Sequence, residues 1–187
     1  MTLTNTHIDI LLSQCMKGNQ LAQMEVYNRY YLAMYNTALR IVKQQDEAED
    51  IMQEAFLTAF TKLHTFKGDA NFGAWLKRIV INQSISKYRK QEFHEDIDNE
   101  AVANKINDDE DDTPEESYTS LKAKEVMVVI NTLKPNYQMM LTLHFIEGYD
   151  YEEICEIMNM SYANCRTMLS RAKESLRKKF LERTMSY

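Results

Sequence analysis

Twelve of the 25 residues from Glu92 to Glu116 are acidic and one, Lys105, is basic, a net charge of −11 in the middle of the chain. Such a segment offers too little apolar surface to offset the entropy lost on ordering it, so it reads as a flexible, disordered acidic linker. A chain of 187 residues interrupted in this way must build two separate small domains, over residues 1–91 and 117–187. The linker also hides a charge reversal. The formal charge of the whole chain is −6, yet the residues outside the linker carry 16 acids and 21 bases, a net of +5. An acidic total therefore does not exclude a nucleic-acid partner.

Both flanks read as helical, giving an all-α fold class. Only 4 Gly and 2 Pro occur, so tight turns and strand breaks are few. His7 to Met16 has apolar residues at helical spacing and Gly18 stops it. A long helix follows from Asn19 to about Val42, with Met24, Tyr27, Tyr31, Tyr35 and Leu39 as its expected apolar stripe. Asp46 and Glu49 resemble a capping box before Ile51, Met52, Ala55, Phe56, Ala59, Phe60 and Leu63. Phe72, Trp75, Leu76, Ile79 and Val80 repeat at i, i+3, i+4, i+7 and i+8. That helix ends in Lys87, Arg89 and Lys90. In the second half, one helix is expected to end near Leu133 before Pro135, and another to run from Asn136 to Glu147, closed by Gly148. Asp150 and Glu153 form a second capping-box pattern. Asn159 to Ser161 is a turn, and Ser161 caps a last helix with Met168, Leu169, Ala172, Leu176 and Phe180 inward.

Two segments carry chemistry. A short helix, a turn and a longer helix from Tyr149 to Ala172 have the layout of a helix-turn-helix, whose second helix enters the DNA major groove. Its outward residues Asn164, Arg166, Thr167, Ser170 and Arg171 suit base edges, and seven bases against two acids from Arg166 to Arg183 suit phosphates. The second is the loop Lys67-Gly68-Asp69-Ala70-Asn71. Its small residues leave room for an unpaired base, with Asp69 or Asn71 as edge readers. Seven bases against one acid surround it, from Lys62 to Lys90. Trp75, Phe72 and the tyrosines could stack on bases, but their helical spacing assigns them to packing.

Three stretches together resemble one family. Tyr151 to Ser161 (YEEICEIMNMS), followed by Arg166 to Lys173 (RTMLSRAK), is similar to the promoter-reading helix-turn-helix of extracytoplasmic-function sigma factors. Asp46 to Phe56 (DEAEDIMQEAF) is similar to that family's polymerase-binding helix. Phe66 to Phe72 (FKGDANF), with Trp75, Leu76, Arg78, Ile79 and Asn82, is similar to its promoter-melting segment. The resemblance implies an initiation factor and not an enzyme. It implies core RNA polymerase as partner through Glu47, Asp50, Gln53, Glu54 and Phe56. It further implies upstream (minus-thirty-five) reading by the second domain, and downstream (minus-ten) reading and melting by the loop with Arg78, Asn82, Lys87 and Arg89. The promoter DNA would be double-stranded and locally melted, and a cognate anti-sigma protein would restrain the factor. The family often has Thr, Val and Arg where Asn164, Cys165 and Met168 stand.

Other expectations bound the alternatives. No apolar run approaches the ~18 residues of a membrane span, and Met1 to Asn19 lack the layout of a signal peptide, so a cytoplasmic protein without membrane insertion is expected. Cys15, Cys155 and Cys165 form no C-x-x-C pair and read as free thiols. No cofactor and no metal is expected. The rivals are a regulator that binds duplex DNA without polymerase, a helical adaptor, and a metal enzyme using Glu152, Glu153 and His144. A linker of 25 residues extends to about 80 Å, and two turns of B-DNA are roughly 70 Å, so two domains could sit that far apart.

Overall fold

The computed structural model describes residues 4–68, 70–95 and 118–184, with side chains at 4–68, 70–90 and 123–183. The chain divides into two compact units, Met1–Asn104 and Lys105–Tyr187. The linker expectation beyond Glu95 lies outside the described residues, as does Asp69.

In the first unit, α1 spans Ile8–Met16, α2 Gln20–Val42, α3 Gln45–Thr61 and α4 Phe72–Glu95, with a single 3-10 turn at Leu63–Thr65. Asn19 caps α2, its side chain accepting from the amides of Leu21 and Ala22 at 3.0 and 3.2 Å. α2 ends at Lys43, which adopts the left-handed conformation and returns its amide to the Leu39 carbonyl. The core is built where α2, α3 and α4 pack on one another, and it holds small side chains: Ala22, Ala38, Ala48, Ala55 and Ala59 have no exposed surface. Larger residues, Val26, Ile41, Met52, Phe56, Leu76, Val80 and Ile81, fill the space around them.

The buried face of α2 differs from the stripe expected from spacing. Met24 and Tyr31 are exposed, and Tyr27, Tyr35 and Leu39 only half-buried, while Ala22, Val26, Met34, Ala38, Ile41 and Val42 point inward. α2 is apolar on more than one side. The side bearing small residues takes the core because it lets two other helices approach closely. Thr37 is tolerated there because its hydroxyl donates to the Ala33 carbonyl at 2.9 Å. α4 also outruns its expected end: it continues to Glu95, so residues 92–95 are helical rather than linker. Nothing between Lys90 and Glu95 breaks a helix.

In the second unit, α5 spans Tyr118–Ile130, α6 Pro135–Leu141, α7 Tyr151–Met158 and α8 Tyr162–Thr184. Pro135 occupies the first turn of α6, where a missing amide costs nothing. The helix expected through Glu147 is not uniform. Thr142–Ile146 widens into one π turn, closed by the Glu147 amide on the Thr142 carbonyl at 3.0 Å. Met140, Leu141, Leu143, Ile154, Cys165, Leu169 and Ala172 have no exposed surface and form the second core. Met168, Leu176 and Phe180, expected inward on α8, are half-buried at its edge.

The two capping-box patterns part company. Around α7 the box is complete: the Glu153 amide donates to Asp150 at 2.8 Å, and the Asp150 amide to the Glu153 carboxylate at 2.9 Å. At α3 the N-cap is Gln44, without a side-chain bond, and Asp46 sits inside the first turn. Asp46 therefore acts only through the helix dipole. Urea denaturation should show the difference: Asp150→Ala should cost ~1 kcal/mol, and Asp46→Ala a few tenths. Equal losses would contradict the assignment.

Candidate nucleic-acid interface

The short helix, turn and long helix of the second unit form a helix-turn-helix. α7 ends where Asn159 turns left-handed, φ 48°, a conformation Asn tolerates better than most residues. The chain then re-enters helix at Tyr162, with the Ser161 hydroxyl accepting from the Asn164 amide at 3.3 Å. Cys165 and Leu169 lie buried against α7 and α6, which fixes the outward side of α8.

All five residues expected to read DNA here, Asn164, Arg166, Thr167, Ser170 and Arg171, are exposed. Helical spacing puts Thr167 and Ser170 on one line with Ala163 and Glu174. Arg166 lies to one side of that line, Asn164 and Arg171 to the other. A narrow strip of small side chains is thus flanked by guanidinium groups, a shape that lets the helix backbone approach base edges while the arginines reach outward. Tyr162, also exposed and in ring contact with Tyr151 at 6.1 Å, joins this surface. Its place on the first turn of α8 was the available signal for it in the sequence.

Lys173 is held elsewhere. His144 donates from Nδ1 to the Tyr149 carbonyl at 3.0 Å, which leaves Nε2 to accept from the Lys173 ammonium at 3.4 Å. The same ammonium lies 5.2 Å from the Phe145 ring centre and 5.8 Å from that of Tyr151. It braces α8 against α7 and the π turn. With His144 so engaged and Glu153 closing the cap of α7, the trio Glu152, Glu153 and His144 is not gathered into a metal site.

In the first unit the loop before α4 is exposed at Lys67, Gly68, Ala70 and Asn71, and Gly68 has φ +76°. Asn71 caps α4: its Oδ1 accepts from the Gly73 amide at 2.8 Å. That bond uses one of the two lone pairs of the side-chain oxygen and none of the donors of its amide nitrogen. Phe66, Phe72 and Trp75 pack as a ring cluster at 5.4–5.8 Å, with Tyr30 at 5.4 Å from Phe72, so Trp75 braces the loop. Arg78, Asn82 and Arg89 share the outer face of α4. Lys87 does not join them. About two and a half turns from Arg78, it sits on the other side, with its ammonium 3.8 Å from Glu47.

That contact also changes the acidic face of α3. Asp50, Gln53 and Glu54 are exposed and contiguous, but Glu47 is half-buried beside Lys87. Phe56, expected on this face, is 3% exposed and packs on Tyr27 at 4.8 Å and Phe60 at 6.1 Å. It is core and cannot touch a partner directly. Leu57, 69% exposed and one turn from Gln53 and Glu54, takes its place. Its i+3/i+4 position relative to the acids was visible in the sequence.

Two family models match this layout. Sigma-70 region 2 matches residues 26–93, most of the first helical unit, and sigma-70 region 4 matches residues 123–176, which include the helix-turn-helix. The chain belongs to the sigma-70 family. This sigma factor is similar to the extracytoplasmic-function sigma factor SigW of Bacillus subtilis, 29% identical over 180 residues that span 89% of this chain and 93% of SigW. It is also similar to the extracytoplasmic-function sigma-E factor of Haemophilus influenzae, 28% identical over 90% of this chain and 93% of that one. Among solved structures, the sigma factor RpoE in complex with the anti-sigma factor NepR from Bartonella quintana shares the fold. The TM-score is 0.57 at 22% identity, covering 84% of this chain and 95% of RpoE. The protein is thus a transcription initiation factor that directs RNA polymerase to promoters, and not an enzyme. Among the described residues no helix is long and apolar enough to cross a membrane.

The burial of Phe56 separates it from its neighbours on α3. Phe56→Ala should destabilise the first unit by about 3–5 kcal/mol, whereas Gln53→Ala should shift the thermal midpoint of this sigma factor hardly at all. Comparable midpoints for the two variants would put Phe56 back on the surface.

Proposed function

We propose that residues 1–95 bind core RNA polymerase and read and melt the downstream promoter element, and that residues 117–187 read the upstream element, with residues 96–116 as the tether. The observation that carries this is the exposure of the five α8 residues on the one helix face left free by the core. Upstream reading belongs to Asn164, Arg166, Thr167, Ser170 and Arg171, with Tyr162 beside them.

Downstream reading belongs to Lys67, Gly68, Asp69, Ala70 and Asn71, continued along α4 by Arg78, Asn82 and Arg89. Unpairing a few base pairs costs a few kcal/mol, which a pocket for the flipped base and the polymerase contacts offset. Asp50, Gln53 and Glu54, with Leu57, face the polymerase. Carboxylates there pair with basic groups on the partner and govern orientation and on-rate more than affinity. Glu47 and Lys87 contribute through their mutual contact. The protein works in the cytoplasm. It has a cognate anti-sigma partner, by analogy with RpoE and its anti-sigma factor NepR.

The direct test is run-off transcription with core polymerase. Reversing Asp50 and Glu54 to Lys together should reduce holoenzyme recovered in a pull-down at least severalfold, with helix content unchanged by circular dichroism. Undiminished recovery would leave that face as solvated surface.

Transcription from a promoter library randomised at both elements assigns the two readers. Arg171→Ala should cost ~1–3 kcal/mol at the upstream element and relax preference at one position. A uniform loss over all sequences with a shallower salt dependence would make Arg171 a phosphate contact. Exchanging residues 67–71 for those of a related sigma factor should move only the downstream preference, and a change confined to the upstream preference would place specificity in the wrong unit.

A further inference from the structure

Cys155 and Cys165 are both free thiols, one on each helix of the helix-turn-helix. Cys165 has no exposed surface, and its sulfur lies 3.7 Å from the Tyr151 carbonyl. Tyr151 is one helical turn before Cys155, so in α7 its carbonyl is the oxygen to which the Cys155 amide bonds. The Cys165 sulfur therefore rests on the turn of α7 that carries Cys155. The connection between the helices is tight, with the Met160 amide returning to the Cys155 carbonyl at 3.0 Å. Cys155 is half-buried, which gives a small oxidant access to one sulfur of the pair and not to the other.

We propose that Cys155 and Cys165 are an oxidative modification site, at which a peroxide cross-links α7 to α8 and lowers affinity for the upstream element. The cross-link itself stands on the thiol geometry; its effect on DNA rests on the assignment of α8 as the reader. Cys155, the more exposed of the two, reacts first, while burial, and then the neighbouring Cys155, push the Cys165 thiol up to about 11. Its sulfur, as thiolate, attacks one peroxide oxygen. The O–O bond breaks, Cys155 becomes a sulfenic acid, and the departing hydroxide takes up a proton as water. The Cys165 sulfur then attacks the Cys155 sulfur. The S–O bond breaks and a second water leaves with the Cys165 proton. Two thiols and one peroxide give one disulfide and two waters, the two thiols supplying the two electrons.

A disulfide fixes the two sulfurs about 2.05 Å apart, closer than any contact between thiols. The contraction pulls α8 toward α7 at the residue between Asn164 and Arg166, and so shifts the first reading turn relative to the bases. Reduction by a small dithiol restores the original spacing.

The test uses the full chain, assembled with core polymerase for the DNA measurements, and hydrogen peroxide. No Lys or Arg lies between Pro135 and Cys165, so one tryptic peptide carries both thiols. After oxidation that peptide should be two hydrogens lighter, should regain them with dithiothreitol, and should keep its mass in Cys155→Ala. Upstream-element affinity should fall about tenfold, the cost of displacing one base contact, and Cys155→Ala should be spared. An unchanged peptide, a gain of oxygen alone, or disulfide-linked dimers would overturn the cross-link. A cross-linked protein that binds DNA as tightly as the reduced one, or an equal loss in Cys155→Ala, would overturn its effect on reading. Failure of the reduced protein to bind the upstream element would refute the assignment of α8, while the peptide mass would still decide the cross-link.

Discussion

The surfaces of this sigma factor follow from how closely its helices approach one another. Ala22 and Ala38 of α2 and Ala48, Ala55 and Ala59 of α3 are completely buried, and α2, α3 and α4 all pack on one another. Side chains of this size bring helix axes near the short end of the usual packing distance, and close contact leaves each helix little rotational freedom. Once α3 has put Ala48, Met52, Ala55 and Ala59 inside, Asp50, Gln53, Glu54 and Leu57 must face out. Once α4 has buried Leu76 and Val80, Arg78, Asn82 and Arg89 fall on the other side of the helix. The contact surfaces are the complement of the packed ones.

The second unit applies the same rule with a harder geometric demand. Its long helix, α8, is fixed in rotation and held off α7 by a short turn. Cys165, Leu169 and Ala172 set the rotation by burial, and Asn159 supplies the left-handed residue. Lys173, held by His144 between the rings of Phe145 and Tyr151, ties the middle of α8 to the preceding segment. A lysine that looks like one more phosphate contact in a basic stretch is part of the scaffold. The π turn at Thr142–Ile146 belongs to the same device, since it carries His144 and Phe145 to the lysine.

Functional and structural roles overlap in the first unit too. Asn71 is both a residue of the proposed base pocket and the cap of α4. A side chain whose oxygen is committed to a backbone amide is held in a fixed orientation, which is what a reader of a flipped base needs. Glu47 and Lys87 tie the acidic helix to the basic one at 3.8 Å. Between partly exposed groups such a pair is worth little in stability, so its consequence is positional: it withdraws one charge from each face.

The sequence by itself determined the division into two helical units, the helix-turn-helix and the family, because these depend on local signals. Charge density forbids a core across Glu92–Glu116, apolar period selects helix over strand, and caps and turn residues such as Asp150, Glu153, Asn159 and Ser161 mark helix ends within a few positions. The exposure of Asn164, Arg166, Thr167, Ser170 and Arg171 on α8 follows from the same periodicity. The choices between helix faces are settled by packing. α2 is apolar on more than one side, and spacing alone favoured Met24 and Tyr31 over the smaller residues that pack. Phe56 stands beside acids in the sequence, which points to their surface, although an aromatic ring gains most by burial. Lys87 was grouped with Arg78 and Arg89 because all three are basic, yet its turn of the helix faces α3. Sequence spacing fixes which residues share a face of a helix. Which face meets the core is settled by how near the neighbouring helices can come, and that depends on side chains far away in the chain.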